Sequence, residues 1–332
     1  MLLRIVIMAM AALLTSCNPQ SEQVSIGTPA ARALKTTELA ADGKDRLNIL
    51  AAQTDLTNNA IFANYRPKTV SQWNEGWTRR IDFSGVSWSH RQAGTVITPR
   101  HLVFAAHFPI KTGTTLTFHD RTGKVHSRKL IKNISLRKKS NTVRSDITIA
   151  LLDEPLPPSI KTYRLLPPRE DYGHTLLDCP VIVTEQGRRA FIHKVYRASN
   201  KTISFKKNED FPESLYKNLI RGDSGNPSFL LVGGEPVLIE THTGGGPGSG
   251  PFYSAPLVFK ALEEAVAKLD PNYKIKTVPL DPQLAPAPPK KEKPTVPTRP
   301  TRPSSLPPTT KEQPNSPKKR TPRVRRVPPV SE

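Results

Sequence analysis

"GTVITPRHLVFAAHF", Gly94 to Phe108, is the stretch that decides the architecture. Gly94–Thr98 is a short, β-branched apolar run, the composition of a buried strand. Pro99 and Arg100 interrupt it, because proline has no N–H for a ladder. A second apolar run follows at once, His101 to Ala106, and ends in His107. Two small residues before that histidine let the backbone turn tightly and aim the imidazole. The segment therefore reads as strand, turn, strand and a presented histidine.

Similar runs extend outward on both sides. "TTLTFHD", "HSRKLIKNI", "DITIALL", "CPVIVTE", "RAFIHKVYR", "KTISF", "PSFLLVG", "PVLIETHT" and "PFYSAPL" follow, separated by Gly, Pro, Asp and Asn, and "RRIDFSGVSW" precedes. So many short runs at this spacing predict an all-β fold, a sandwich or barrel, rather than alternating helix and strand. "HDRTGKV" carries the glycine a hairpin turn needs. One helix is expected in "PLVFKALEEAVAKLD", where Leu257, Val258, Ala261, Leu262, Ala265 and Leu269 recur at helical spacing. Pro256 suits its first turn and Pro271 its end.

The two ends differ in texture. "MLLRIVIMAMAALLTSC" places Arg4 before an apolar run, Ile5 to Leu14, too short to span a bilayer of about 30 Å. It reads as a secretory signal over residues 1–16. Leu14-Thr15-Ser16-Cys17 resembles the bacterial lipobox, which makes Cys17 the expected lipidation site and a lipid-anchored envelope protein the expected setting. Asn18 leans this toward the outer membrane or its periplasmic face. Residues 17–69 are polar and Ala-rich, with a moderate helical pattern near Ala30 to Asp55, and read as a stalk. A domain is expected over 70–275. From Asp281 on, 15 prolines accompany 12 Lys/Arg and 4 Asp/Glu, a surplus of 12 − 4 = +8. A disordered basic tail is expected over 276–332, either a solvated spacer or a binder of an anionic envelope polymer.

The chain has 332 residues and a formal net charge of +21, which favours anionic partners and says nothing of fold. No specific nucleic-acid target is indicated, and a monomer is expected. The two cysteines are Cys17 and Cys179. If Cys17 carries lipid, Cys179 has no partner, so the fold must stand on its core without a disulfide. Cys179 in "LLDCPVIV" reads as a small buried apolar residue. His90, His101, His119, His126, His174 and His193 lack zinc-type spacing, so neither metal nor cofactor is expected. "GGGPGSG", Gly244 to Gly250, lacks the Lys-Ser/Thr ending of a phosphate cradle and reads as a cleft lining.

"RGDSGNPSF", Arg221 to Phe229, sets Ser224 between two glycines after an acid. A serine hydroxyl needs a base in reach, and the base needs an orienting partner. His107 is the candidate base. Asp146, opening the apolar strand "DITIALL", is the candidate orienter.

Taken together, "ITPRHLVFAAH", "SDITIALL" and "GDSGNP", in the order His, Asp, Ser and 39 and 78 residues apart, resemble the trypsin-like serine endopeptidases. The resemblance covers roughly Trp77 to Asp270. It implies an all-β fold of two packed six-stranded Greek-key barrels with a C-terminal helix and a His107–Asp146–Ser224 triad in the cleft between them. It also implies an oxyanion hole from the N–H groups of Gly222 and Ser224, and a polypeptide substrate. The chain departs from the family pattern at Asn226, where a second glycine is usual, and at Phe108, where a half-cystine is usual. No Ile-Val-Gly-Gly activation site is present, so Asp223 should have a partner other than a freshly cut N-terminus.

A narrower resemblance, carried by "IETHTGG", is to the staphylococcal glutamyl endopeptidases. It implies a preference for acidic residues before the cut, with His242 in the specificity pocket beside Thr243 and Gly244. Leu219 breaks that family's pattern, and Asn218 at the pocket position argues against a Lys/Arg preference. The alternative reading is a catalytically inactive, protease-like lipoprotein that binds peptides or envelope polymers.

Overall fold

The hairpin around Pro99-Arg100 sits at the centre of its sheet because both of its faces are covered. In the second run, Leu102 and Phe104 point into one apolar cluster while Val103 points into another. A strand buried on two sides reads as a continuous apolar run, not an alternating one. A computed structural model describes residues 35–137 and 143–281 and shows this strand in the middle of a six-stranded sheet. Among the described residues no helix is long and apolar enough to cross a membrane. The signal at 1–16, Cys17 and the tail from 282 lie outside the described residues.

In chain order the elements are α1 (Leu39–Gln53), β1 (Phe62–Asn64), β2 (Gln72–Trp73), β3 (Val86–Ser87), β4 (Gly94–Thr98), β5 (His101–Ala105), β6 (Thr115–His119), β7 (Val125–Ser135), β8 (Ile147–Leu152), α2 (Tyr172–Thr175), β9 (Pro180–Glu185), β10 (Arg189–Ala198), β11 (Thr202–Lys207), β12 (Pro227–Val232), β13 (Glu235–Thr241), β14 (Ser249–Pro251) and α3 (Pro256–Leu269). The first large sheet runs β3-β4-β5-β8-β7-β6 and the second β13-β12-β9-β10-β11-β14, with antiparallel pairing throughout. The first is a half-barrel. The second nearly closes, because Thr243 N–H donates to Ser249 O at 2.9 Å and Tyr253 N–H to Ile239 O at 3.0 Å, joining the ends of β13 and β14. The fold is all-β with two barrel-like six-stranded sheets, compatible with a chymotrypsin-like double barrel.

Two apolar clusters organise it. One fills the first sheet, with Val96, Leu102, Phe104, Leu116, Phe118 and Leu130. The other fills the second sheet and runs between the two, taking Val103, Ile147 and Ile149 from the first and Phe229, Leu231 and Val237 from the second. Cys179 belongs to this larger cluster, and burial pushes its thiol up to about 12, so it is inert packing.

α3 starts with Pro256 at its first turn, as its sequence predicts. Its buried stripe is Val258, Phe259, Ala261, Leu262, Ala265 and Val266, whereas Leu257 is exposed and Leu269 only partly buried. The expected apolar set was thus rotated by a fraction of a turn. Asp270 at its C-terminal end accepts a 2.7 Å bond from Arg100 Nη1. Arg100 also donates to the carbonyls of Leu152 and Asp153, at 3.0 and 2.8 Å. One guanidinium therefore ties the β4–β5 turn, the end of β8 and the end of α3.

The expected boundary at residue 70 does not hold. α1 packs on β12 and β9 of the second sheet and buries Leu39, Leu47 and Leu50. Asp42 accepts the Gly233 N–H at 2.8 Å in the β12–β13 turn. β1 pairs with β2, and Ile61 N–H donates to Arg188 O at 2.9 Å. What read as stalk is, from residue 35 on, part of the packed body. At the other end Leu165 and Val278 exchange backbone bonds with their neighbours, Leu165 N–H to Lys276 O at 3.0 Å and Val278 N–H to Leu165 O at 2.9 Å. Lys276 and Val278 are therefore tied into the packed body rather than standing outside it.

Candidate active site

His107 stands two residues beyond β5, and Asp146 stands just before β8. The two strands are paired in register, Ala105 opposite Ile147. Ala106 N–H donates to Asp146 O at 3.2 Å, extending the ladder one step to the aspartate. The histidine and its acid are thus brought together by strand register alone. Asp146 Oδ1 accepts the His107 backbone N–H at 2.8 Å, and Oδ2 lies 2.7 Å from His107 Nδ1. A carboxylate can only accept, so Nδ1 carries the hydrogen and Nε2 presents a lone pair.

That lone pair faces Ser224 Oγ at 2.9 Å. The serine comes from the turn before β12, in the other sheet. The side chains of His107 and Asp146 are 30% and 27% exposed, so the line Asp146–His107–Ser224 is open at the surface and accessible to a substrate.

The turn around Ser224 is held from three sides. Gly225 N–H donates to His242 O and His242 N–H to Asn226 O, both at 2.9 Å, pairing the turn with the end of β13. Asp223 is 1% exposed, and its carboxylate accepts the N–H groups of Ile220 at 2.7 Å and Gln186 at 3.2 Å. The partner anticipated for Asp223 is therefore backbone, and Arg221 plays no part in it. Asn226 is fully buried. Its Nδ2 donates to Asp223 O at 3.0 Å and its Oδ1 accepts from Trp88 Nε1 at 2.8 Å. The amide does what a second glycine could not: it pins the turn to a tryptophan of the first sheet's margin.

Gly222 has φ +106°, a backbone that an L side chain rarely adopts. A Cβ there would fall about 2.5 Å from Gln186 Oε1. Gln186 Nε2 in turn donates to Arg221 O at 3.3 Å, steadying the peptide that carries the Gly222 N–H. Among the described residues neither the Gly222 nor the Ser224 N–H has an acceptor, so both remain available to a ligand oxygen.

The expected specificity residues divide. Asn218 is exposed and accepts from Tyr216 Oη at 2.7 Å. Thr243 and Gly244 lie at the rim beyond β13, part-buried. His242 is 1% exposed. Its Nε2 lies 3.1 Å from Thr184 O and its Nδ1 2.7 Å from Glu240 Oε1, a buried ion-pair distance without hydrogen-bond alignment. No imidazole nitrogen reaches the cleft, and a buried carboxylate stands next to it. This placement runs against the expected contact between His242 and an acidic side chain. β13 is buried from Pro236 to Thr241, so the strand that leads into His242 is covered on both faces.

Gly244–Gly250 folds back on itself and on Leu219, which is 3% exposed and exchanges backbone bonds with Gly246 at 2.6 and 3.1 Å. Among the described residues no group of three His, Cys, Asp or Glu is placed to hold a metal. Gln186 and Trp88 were not singled out by sequence, and Asn226 was noted only as a departure from the family pattern. A glutamine after a strand and a tryptophan before one carry no local signal of a role made only by tertiary contact. No protein-family model matches this sequence, and no curated protein matches it either.

Proposed function

We propose that this chain is a serine endopeptidase. The observation that carries the reading is the unbroken line Asp146–His107–Ser224, at 2.7 and 2.9 Å, beside two N–H groups with no acceptor among the described residues. Ser224 Oγ would attack the scissile carbonyl while His107 Nε2 takes its proton. The Gly222 and Ser224 N–H groups would hold the oxygen as it becomes negative. His107 would then return the proton to the leaving amine, with Asp146 stabilising the imidazolium. Water would repeat the sequence on the acyl-enzyme, with His107 again as base.

Attachment through Cys17 and an envelope location belong to the same proposal and rest on the lipobox resemblance. The binding of an anionic envelope polymer by the basic C-terminal segment rests on its charge of +8.

A fluorophosphonate probe tests the reading on the full chain. Labelling of the parent, and of neither Ser224→Ala nor His107→Ala, is expected. Absence of labelling in a folded parent would overturn it and favour a peptide- or polymer-binding module.

A further inference from the structure

β10 and β11 pair in steady register until Val195, opposite Phe205. The next partner of Ser204 is Arg197, so one residue is extra on β10. This bulge leaves Tyr196 and Arg197 both exposed where strict alternation would bury one of them. Bulges re-aim side chains beside binding sites. Here the bulge sets Arg197 on the wall of a cavity of about 400 Å³ between β10, β11 and β14.

The rest of the lining is mostly hydroxyl-bearing, Ser199, Thr202, Ser204, Thr243 and Ser249, with Ile203 and Gly250. Arg197 is the one ionised side chain in this lining. Among the described residues it has no carboxylate partner and no hydrogen-bond acceptor, although the neighbouring lysines of this face, Lys194 and Lys206, are both paired with acids. The hydroxyls of Ser204, Thr243 and Ser249 likewise have no partner among the described residues. Glu240 lies behind Gly250 but is fully buried and does not reach the cavity surface. A guanidinium with a ring of unengaged hydroxyls is a receptor for a planar oxyanion.

Its position gives it a use. Thr243 is the residue after His242, whose carbonyl accepts from Gly225, the neighbour of Ser224. The cavity therefore opens along the segment that borders the nucleophile turn. We propose that this cavity is a subsite for a carboxylate carried by the peptide bound across Ser224, held by Arg197 and the hydroxyls of Ser204, Thr243 and Ser249. This rests on the serine-hydrolase reading of Ser224, and it moves the recognition of acidic sequence from His242 to Arg197.

The carboxylate has two sources, an acidic side chain or the free end of a peptide. Both are tested on the full-length Ser224→Ala chain, where binding is read without turnover. The probes are rhodamine-labelled, amide-capped nonapeptides of Ala and Ser with one Glu moved through the central positions. The same set with Gln, and one Gln peptide with a free C-terminal carboxylate, complete the series. Anisotropy should show Glu bound at least tenfold more tightly than Gln at one position. That ratio should fall toward one in Arg197→Gln and be partly kept in Arg197→Lys. Preference for the free-acid peptide alone, lost in the same variant, would assign the site to a chain terminus.

A Glu/Gln ratio near one at every position with no free-acid preference, or a preference that survives Arg197→Gln, overturns the proposal. So does failure of every peptide to bind. Arg197 is exposed, so Arg197→Gln should fold, which circular dichroism checks. Arg197-dependent binding in Ser224→Ala together with no fluorophosphonate labelling of the parent would support the subsite and sink the nucleophile.

Discussion

Asp146 holds His107 twice, one carboxylate oxygen on the backbone N–H at 2.8 Å and the other facing Nδ1 at 2.7 Å. The first bond fixes where the residue is and the second fixes which way its ring and its tautomer face. Asp146→Asn keeps the size but can present an N–H to Nδ1 and favour the wrong tautomer. Under the proposed mechanism kcat should fall by about 10⁴ with little change in KM, as loss of a triad acid does in general. Steady-state kinetics on a cleaved peptide decides this, and a fall of less than tenfold would remove Asp146 from the mechanism.

Gly222→Ala should damage activity far more than folding. The added methyl meets the Gln186 carboxamide, and the φ of +106° is strained for alanine. Turning or shifting that N–H should lower kcat by about 10²–10³, the usual cost of one oxyanion donor. Gln186→Ala relieves the clash but frees the Arg221 carbonyl, so the double variant should recover only part of the loss. A fully active Gly222→Ala would exclude this N–H from the reaction.

Asn226→Ala leaves the buried Trp88 Nε1–H without its acceptor. Stranding a buried donor costs about 1–3 kcal/mol. Urea denaturation should show that loss in the midpoint. The Ser224 turn should also label more slowly with the fluorophosphonate. A glycine at 226, although closer to the family pattern, should do no better.

Buried histidines outside the site, His101, His193 and in the same direction His119, make the fold sensitive to mild acid. Burial pushes His101 down to about 4, opposed by nearby Asp270 and reinforced by Arg100. Burial also pushes His193 down to about 4, against the pull of the Pro247 carbonyl. Both sit below the ordinary value near 6.5, so between pH 6.5 and 4 the unfolded chain binds protons that the native state refuses. Their contribution is complete above pH 6.5 and drains away as the pH falls toward 4. The denaturation midpoint should drop through that window, by about 1–3 kcal/mol in stability. His101→Gln and His193→Gln should each flatten the slope. A midpoint independent of pH there would contradict the assignment.

α1 supplies a plain test of where the folded body starts. Leu47 and Leu50 are each 2% exposed. Either change to alanine should cost about 2–5 kcal/mol if the helix is core. A cost under about 0.5 kcal/mol, usual for surface sites, would restore the stalk.

The line Asp146–His107–Ser224 was legible because each member has a local signature: two alanines before a histidine at a strand end, an aspartate opening an apolar strand, a serine between glycines. The strands were legible for the same reason, since runs such as "HLVFA" and "DITIALL" are buried on both faces. The short edge strand β3 was overdrawn as "RRIDFSGVSW", because only Val86 and Ser87 pair, while Arg79 and Arg80 end a 3-10 helix and the residues between are irregular. α1 was partly visible as a helical pattern, but its destination was hidden. Its apolar stripe is narrow, interrupted by Asp42, Gly43 and Lys44, so nothing in its composition separates a packed helix from a spacer. The burial of His242 was not legible, because a motif gives residue order and not depth. Arg197 escaped notice because a bulge is a property of pairing, and one strand's sequence does not declare it.

Arg100, joined to the end of α3 through Asp270, is far in sequence from Ser224, yet it would bear on the proposed reaction mechanically. Under the proposed mechanism the proton crosses from a serine on one sheet to a histidine on the other, so the tolerance of that transfer is the tolerance of the whole assembly. α3 leaves the second sheet and packs against β7 and β8 of the first, which makes it a brace across the seam. Slackening the brace should widen the serine–histidine gap while both sheets are still intact. Such a molecule would lose its chemistry on warming several degrees before it loses its structure.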